Sequence, residues 1–319
     1  MKYFIGIDIG GTNIKGAIVS ETGILVDFYS INSIIPDGNV VLDSITQIIS
    51  ILIDKSIYKK TPITAIGIGT PGVVNEKQGC VIEGCPNIPG WKNIKFIPIL
   101  KEKFNLPVFA NNDVNLMALG ELFFGSAKGK QHVICLTLGT GIGGGIIING
   151  KLYEGKNNYA GEIGHTCIIP NGRTCKCESN GCLEAYASAT GIITSAKEYI
   201  FKNPESDFSK IINQNPNNLD VKFIFELAEK GNPIAKQIFT ETCLYLGIGI
   251  ANLINIFNPE MIIIGGGISQ AGEMLFTPVK EIASQYGFNL SFQNTEIVPA
   301  KFVEKSGVIG AAAYALSRI

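Results

Sequence analysis

The chain has 319 residues, 46% of them hydrophobic and 17% charged, and its formal net charge is −1 at pH 7. This length allows two domains with sizeable cores, and the mixed charges argue against a nucleic-acid-binding or membrane-surface protein, which would carry a basic excess. The amino-terminal stretch turns glycine-rich too early for a signal peptide, and no apolar run suggests a membrane span, so we expect a cytoplasmic protein whose cysteines are thiols or metal ligands.

Four glycine-rich turns, each after a short apolar run, divide the chain. They are DIGGTN (8–13), GIGTPG (67–72), LGTGIGGG (138–145) and IGGG (264–267). A strand followed by a glycine turn is typical of strand ends that face a bound ligand.

The first and third of these turns open similar hairpins. Strand Tyr3–Ile9 and a second strand at 17–19 flank the first turn. Strand His132–Leu138 and a second strand at 146–148 flank the other, which continues through an Asn-Gly turn, a strong hairpin signal. The repetition predicts an internal duplication with a cleft between the halves.

Apolar residues at helical spacing predict helices between and after these strands. An Asn-, Pro- and Ser-rich segment at 203–218 predicts a surface loop instead. The predicted helices cover 40–52, 115–124, 222–229, 233–256 and 308–316.

Exposed backbone N–H groups in glycine turns bind anions, so two turns are candidate phosphate sites. In the first turn, Asp8 could also hold Mg²⁺. Neither turn has the Walker A pattern or the Rossmann spacing. The glycines could simply permit tight hairpins, but the repeated pattern favours a nucleotide site. The candidate ligands are Asp8, Gly10, Gly11, Thr12 and Lys15 in the first turn and Gly139, Thr140 and Gly141 in the second.

The segment NNDVN (111–115) places a carboxylate where an apolar run gives way to a predicted helix. Asp113 could be the helix N-cap. It could also be a general base that takes a proton from a hydroxyl attacking phosphorus. Asn112 carries a donor and an acceptor, which suits a sugar hydroxyl. The two phosphate turns favour the catalytic interpretation.

Four of the eight cysteines, and one of the two histidines, lie between Ala160 and Gly191. Three thiols and an imidazole are a ligand set for structural zinc, although buried thiols are the alternative and Cys167 could replace a ligand. A zinc-held loop would fix Glu162 and Glu184, and His165 could bind zinc through one ring nitrogen and a substrate oxygen through the other. The predicted ligands are His165, Cys175, Cys177 and Cys182.

Together these motifs resemble the ROK family of sugar kinases and regulators, and within it the bacterial ATP-dependent glucokinases most closely. The resemblance covers nearly the whole chain in the family's order. It departs at Glu178, where the family usually has glycine after its second cluster cysteine. The motifs are DIGGTN (8–13), GTPG (69–72), PNIPGW (86–91), NNDVN (111–115), LGTGIGGG (138–145), AGEIGH (160–165), CKCESNGCLEAYAS (175–188) and IGGG (264–267).

The resemblance implies an actin-like, ribonuclease H-like duplicated two-domain α/β fold with ATP and sugar in a central cleft. We expect a first domain of residues 1–112 plus about 303–319, and a second domain of residues 113–302 that carries the zinc loop. It also implies Mg²⁺ with the ATP, structural zinc, and a homodimer or homotetramer.

The resemblance further implies transfer of the γ-phosphoryl group of ATP to the 6-hydroxyl of a hexose, glucose first among them. Asp113 is then the base, and the adenosine lies near Gly265, Gly266 and Gly267. The implied sugar ligands are Asn87, Asn112, Asp113, Glu162, His165 and Glu184.

Several alternatives stay open at this point. The hexose could be N-acetylmannosamine, N-acetylglucosamine, mannose or fructose. A sugar sensor without catalysis would not need Asp113, and a chaperone-like ATPase would not need the cysteine cluster. The family's regulators carry an amino-terminal DNA-binding segment, whereas this chain starts directly at KYFIGIDIGG, so we expect no nucleic-acid partner.

The substitution Cys175→Ser tests whether the metal and the sugar share this loop. We expect both the zinc content and the sugar affinity to fall, because the metal would hold the loop that carries Glu162 and Glu184. Metal analysis and sugar titration of the same preparation measure both. Loss of zinc with unchanged sugar affinity would show that the two are independent.

Overall fold

The computed structural model describes residues 1–11, 13–32, 37–84, 88–214, 216 and 219–319. The chain forms two compact units. The first comprises Met1–Val133, Gly145–Gly161 and Ala300–Ile319, and the second comprises Ile134–Gly144 and Glu162–Pro299. Two predicted site residues, Thr12 and Asn87, lie outside the described residues.

The first unit is built on a five-stranded sheet in the order β3-β2-β1-β4-β7. β1 and β2 pair antiparallel, as do β2 and β3, whereas β1 pairs parallel with β4 and β4 parallel with β7. A small β5–β6 ribbon is separate from this sheet. The strands are β1 (Tyr3–Ile9), β2 (Asn13–Ser20), β3 (Leu25–Asn32), β4 (Ile63–Thr70), β5 (Val73–Asn75), β6 (Cys80–Glu83) and β7 (Val108–Asn112).

Helices cover both faces of this sheet. One core packs apolar strand residues against α1 and α2, with Trp91 and Phe96 stacked in it at a centroid distance of 4.9 Å. The opposite core packs Phe4 and Ala65 against Val308 and Ala312. The helices of this unit are α1 (Gly38–Tyr58), α2 (Phe96–Phe104), α3 (Asp113–Phe124) and α11 (Ser306–Ser317).

Glycines allow the carboxy-terminal helix α11 to lie directly on the sheet. A Cβ added at Gly67 would collide with the Ala311 carbonyl, and one at Gly6 with the Val308 carbonyl. Backbone can approach backbone this closely only where no side chain intervenes. The close contact ties the chain's end to β1 and β4, the strands that lead to the first candidate site.

The second sheet repeats the strand order of the first. Its order is β10-β9-β8-β11-β12, so in both sheets the first strand lies between the second and the fourth. The Asn149-Gly150 turn between β9 and β10 has φ values of 52° and 70°, as a two-residue hairpin turn of type I′ requires. The strands are β8 (Val133–Leu138), β9 (Ile142–Ile148), β10 (Lys151–Leu152), β11 (Met261–Gly265) and β12 (Glu296–Pro299).

The helices of the second unit are centred on α8, which packs against α9, α7, α5 and α4. Its N-cap Asn232 accepts hydrogen bonds from two backbone N–H groups, and Asn258 ends it in the left-handed conformation. The helices are α4 (Glu184–Ala187), α5 (Ala189–Lys202), α6 (Asp207–Gln214), α7 (Val221–Glu229), α8 (Pro233–Phe257), α9 (Glu273–Tyr286) and α10 (Asn289–Gln293).

Among the residues described, α8 is the one helix long and apolar enough to cross a membrane by length and composition. Its most apolar window is 61% buried inside the protein. Leu246 and Ile250 on this helix are fully buried, so α8 has the character of a core helix. The sequence predicts a helix over 233–256, and the structure has one at Pro233–Phe257.

Two sequence expectations differ from the structure. The predicted loop at 203–218 contains helix α6, because Phe208 and Ile212 form an apolar face one turn apart that is buried. The compact units place α3 in the first unit, since it packs against α11, whereas the expected second domain began at Asp113. The predicted strands and the other predicted helices are present, with ends that shift by several residues.

The substitution Gly67→Ala tests the contact between β4 and α11. We expect the thermal midpoint to fall by about 10 °C, since overpacking costs about 3 kcal/mol when backbone must move. Gly11→Ala is the matched control, because a Cβ there meets nothing within 4 Å and should leave the midpoint unchanged. Equal midpoints for the two variants would contradict the packing argument.

Candidate active site

The first candidate phosphate turn connects β1 to β2. The Gly10 N–H donates to the Asn13 carbonyl at 2.9 Å, which closes the turn tightly, while Gly11 has open space where a side chain would be. Asp8 lies opposite Lys15 in the β1–β2 register. A Cβ at Gly307, in the first turn of α11, would collide with the Asp8 carboxylate, so this carboxylate packs against the start of that helix.

Asn112, and not Asp113, is the N-cap of α3. The Asn112 side chain accepts hydrogen bonds from the N–H groups of Val114 and Asn115, at 3.0 and 3.5 Å. Its amide also donates to the Gly72 carbonyl at 3.2 Å. The alternative that Asp113 serves as the cap is therefore wrong, and its carboxylate accepts a hydrogen bond from the N–H of its neighbour Val114. Asn112 retains one amide hydrogen for a ligand.

Burial, and after it the negative charge of Asp8, raise the pKa of the Asp113 carboxyl to about 7. Burial also raises the pKa of Asp8 itself, and Lys15 partly opposes that shift. A carboxyl group with a pKa near neutrality can both accept and release a proton at physiological pH. The two carboxylates lie at the carboxyl ends of β1 and β7, with β4 between them.

A buried amide network supports Asp113, and sequence analysis did not identify it. The Asn111 side chain accepts from the Asn112 N–H at 2.7 Å and from the Asn115 amide at 3.0 Å. It donates to a Glu154 carboxylate oxygen at 2.7 Å. The side-chain oxygen of Asn115, Oδ1, has no hydrogen-bond partner within the described parts of the chain, and a buried water would satisfy it. The repeated asparagines of NNDVN were the available signal.

The second candidate phosphate turn is held by the junction of α4 and α5. The Gly139 N–H donates to the Gly141 carbonyl at 3.0 Å, and the Ala189 N–H donates to the Gly139 carbonyl at 2.8 Å. The Thr190 hydroxyl donates to the Thr140 carbonyl at 2.8 Å. This turn is therefore fixed before any ligand arrives.

A cavity of about 660 Å³ adjoins this turn. Gly139 and Thr140 line it together with Gly267, Phe225 and Met274. Its volume falls in the range of small-molecule sites. Of the three predicted adenosine glycines, Gly267 lines the cavity and Gly265 ends β11. Gly266 has φ 87°, and a Cβ there would collide with the Leu138 backbone.

Glu184 contacts the second turn directly. Its Oε2 accepts a hydrogen bond from the Ile142 N–H at 2.8 Å, and a Cβ at Gly141 would collide with the same carboxylate. Gly141 therefore leaves room for the predicted sugar ligand. Glu162, the other flanking carboxylate, is 61% exposed, and its Oε2 lies 3.8 Å from His165 Nε2.

The predicted zinc ligands come together. The ligand atoms of His165, Cys175, Cys177 and Cys182 all lie within 4.8 Å of one another. Cys177 Sγ is 3.6 Å from Cys182 Sγ, and Cys175 Sγ is 3.5 Å from His165 Nδ1. Tetrahedral zinc with bonds of about 2.3 Å to sulfur separates two sulfurs by about 3.8 Å, so this Cys₃His group fits a structural zinc ion. The alternative ligand, Cys167, is exposed and is not part of the group.

The departure at Glu178 does not open the cysteine turn. Glu178 adopts φ 69°, the left-handed conformation that favours glycine. Its N–H donates to the Cys175 carbonyl at 3.0 Å. The turn thus keeps its hydrogen bond with a glutamate where glycine would be less strained.

Comparison with known proteins was made on the whole chain. The profile of the ROK family matches residues 4–318. The chain belongs to the ROK family. Its duplicated sheets are those of the actin-like fold that ROK structures share.

ROK relatives include both kinases and regulators. A glucokinase of Thermotoga maritima is 37% identical over 99% of this chain and 98% of its own length. A xylose repressor of Caldicellulosiruptor bescii is 35% identical over 98% of this chain and 78% of its own. The structure of a ROK glucokinase from Streptomyces griseus, in complex with glucose and AMPPNP, is 33% identical, covers 99% of both chains and has a TM-score of 0.80.

The pKa of Asp113 can be measured in the ligand-free protein. We expect its carboxyl carbon to titrate near pH 7 by ¹³C NMR, with Asp113→Asn identifying the resonance. In Asp8→Asn the titration should move to lower pH, because the neighbouring negative charge is gone. A midpoint that does not move in Asp8→Asn would show that burial alone sets the pKa.

Proposed function

We propose that this ROK protein phosphorylates the 6-hydroxyl of a hexose with ATP, and that glucose is its preferred hexose. Two similarities support the proposal: glucokinase relatives that match over nearly their full length, and a related structure described with glucose and AMPPNP. A kinase of this kind needs a base, an anion-binding turn and a set of hydroxyl ligands. The chain has candidates for each.

The proposal depends chiefly on two properties of Asp113: it is not the helix cap, and its pKa is raised. Its carboxylate is released from capping by Asn112, and burial brings its pKa to about 7. A general base works best when its pKa is near the operating pH. Asp113 then accepts the proton of the 6-hydroxyl while that oxygen attacks the γ-phosphorus, and the bond from the γ-phosphorus to the bridging oxygen of ADP breaks.

The hexose ligands we propose come from three motifs. Asn112 offers its remaining amide hydrogen, and Glu162 and Glu184 offer carboxylates that accept from hydroxyl groups. His165 has Nδ1 toward the cysteines, which leaves Nε2 to donate to a sugar oxygen. Asn87 completes the set by resemblance. Trp91, in the same sequence motif, donates its indole N–H to the buried Thr70 hydroxyl at 2.9 Å.

We assign ATP to the two glycine turns. Backbone N–H groups of Gly11 and Gly141, with the Thr12 and Thr140 hydroxyls and Lys15, would hold the phosphates, while the N–H groups of Gly10 and Gly139 close the two turns. The cavity beside Gly267 has room for adenosine. Asp8 is the candidate ligand for Mg²⁺, which supplies charge neutralisation on the transferring phosphoryl group when it is bound.

Zinc at the Cys₃His group would have a structural role. Zinc bound to His165 and the three cysteines would fix the segment between Glu162 and Glu184, the two proposed sugar carboxylates. No proton or phosphoryl transfer needs this metal.

The family leaves other hexoses and other roles to be tested. N-acetylmannosamine, N-acetylglucosamine, mannose and fructose kinases could use the same ligand types, and a sugar-sensing protein would bind the hexose without turnover. Asp113 favours the enzyme, because a sensor needs no base. We further propose that the protein is cytoplasmic, and that it forms a homodimer or homotetramer.

The test combines one substitution with a panel of sugars. Asp113→Asn should lower kcat by about 10² to 10⁴, because the base is lost, while hexose affinity changes much less. A coupled assay of ADP release measures kcat with glucose and with each alternative hexose, and glucose should give the highest kcat/KM.

Asp54→Asn makes the same chemical change at an exposed position on α1, and we expect it to leave kcat unaltered. Substantial turnover by Asp113→Asn would remove the proposed base. Binding of a hexose without ADP release in the unsubstituted protein would favour the sensor instead.

A further inference from the structure

Arg173 lies in the zinc loop, but it is not one of the predicted ligands, and its side chain reaches two helices of the second unit, α4 and α5. Its guanidinium makes a two-point ion pair with Glu198, at 3.1 and 2.7 Å. It also donates to the carbonyls of Ala185 and Gly191 at 3.2 and 3.4 Å, and to the Ser195 hydroxyl at 3.1 Å. The loop is therefore tied to both α4 and α5 by one side chain.

The hydrogen bond from Arg173 supplies the Ala185 carbonyl with a donor that the helix itself does not provide. In a continuous helix this carbonyl would accept from the Ala189 N–H, four residues later. Here the Ala189 N–H donates to Gly139 in the phosphate turn, and the helix is interrupted at Ser188. The Arg173 guanidinium takes the place of that donor, and a cation at a helix carboxyl end is favourable.

A second set of contacts joins Arg173 to Tyr186 on the same helix. The Arg173 backbone N–H donates to the Tyr186 hydroxyl oxygen at 2.6 Å. The guanidinium carbon also lies 4.8 Å from the centre of the Tyr186 ring, a distance at which cation and ring attract. Both the main chain and the side chain of residue 173 thus bind α4.

Helix α4 has four residues, and it begins at Glu184. A helix this short is not stable by itself, so its direction depends on what holds its ends. Cys182, a zinc ligand candidate, precedes it, and Arg173 binds it from the side. The direction of the Glu184 side chain follows from both.

We propose that Arg173 is a positioning residue for the hexose: it holds α4 so that the Glu184 carboxylate keeps its place, and it does so independently of the metal. The proposal rests on the proposed function, in which Glu184 binds a hexose hydroxyl. Arg173 itself contacts no substrate in this proposal.

The substitution Arg173→Lys tests whether the hydrogen-bond geometry of the guanidinium, and not only its positive charge, holds α4 in place. Lysine keeps a positive charge near Glu198, but its point charge cannot reproduce a planar fork with several separate acceptors. We expect the hexose dissociation constant, measured by calorimetry without ATP, to rise about tenfold. Zinc content per chain should be unchanged, and the KM for ATP should change by less than about twofold, since the Ala189 and Thr190 bonds to the turn remain.

Glu198→Gln is the matched control. It weakens the ion pair, whose Glu198 side chain is 48% exposed, but leaves the bonds from Arg173 to the two carbonyls. Exposed ion pairs contribute little, so the hexose dissociation constant should stay within about twofold. Tyr186→Phe, a milder change, removes only the acceptor of the Arg173 N–H and should raise the constant about threefold.

A double substitution decides between positioning and general destabilisation. If Arg173 acts through Glu184, then Arg173→Lys should add nothing to the loss of hexose affinity caused by Glu184→Gln. Independent, additive losses would overturn the proposal. So would loss of zinc in Arg173→Lys, or a lower melting temperature with unchanged hexose affinity.

Failure of the underlying function has a different signature. If Glu184→Gln alone leaves hexose affinity unchanged, then the assignment of Glu184 as a sugar ligand is wrong, whatever Arg173 does. If Glu184→Gln weakens binding while Arg173→Lys does not, then the sugar site stands and only the positioning role fails.

Discussion

The repulsion between two partly buried carboxylates, Asp8 and Asp113, is the constraint on which the first unit depends. The strand order brings the two carboxylates to the same edge of the sheet. β1 and β7 both run parallel to β4, one on each side of it, so both strands end at that edge. Gly69 of β4 pairs with Asp8 on one side and with Asn111 on the other. Burial and mutual charge both favour the protonated form of Asp113.

The surrounding structure makes this arrangement tolerable. Lys15 partly opposes the raised pKa of Asp8, and the first turn of α11 packs against that carboxylate. Asn112 is the N-cap of α3, so the Asp113 side chain does not serve as the cap. The same features that stabilise the unit thereby leave one carboxyl group poised to exchange a proton near neutral pH.

In the second unit, hydrogen bonds from the junction of α4 and α5 fix the conformation of the second candidate phosphate turn. A break between α4 and α5 frees the Ala189 N–H for the turn, and Arg173 satisfies the carbonyl that the break exposes. Glu184, at the start of α4, bonds to Ile142 just beyond the turn. Glu184, the second candidate phosphate turn and the Cys₃His loop are therefore connected by hydrogen bonds within one unit.

The sequence by itself determined most of the helices and strands and the Cys₃His group, and it proposed the other residues of the site. Alternation and glycine spacing predicted the strands and the duplication, and composition predicted the Cys₃His set, because these signals are local in the chain. It did not predict helix α6, a short helix with three apolar residues, Phe208, Ile211 and Ile212, inside a segment rich in Asn, Pro and Ser.

Tertiary structure alone decided what each polar side chain does. Whether Asn112 or Asp113 caps α3, how far the pKa of Asp113 rises, and which carbonyl Arg173 satisfies all depend on neighbours distant in sequence. Hydrogen bonding and desolvation act over a few ångströms in space, whereas a sequence pattern reports only neighbours along the chain. For that reason the candidate ligands could be proposed from the sequence, whereas the hydrogen bonds of Arg173 and Asn112 could not.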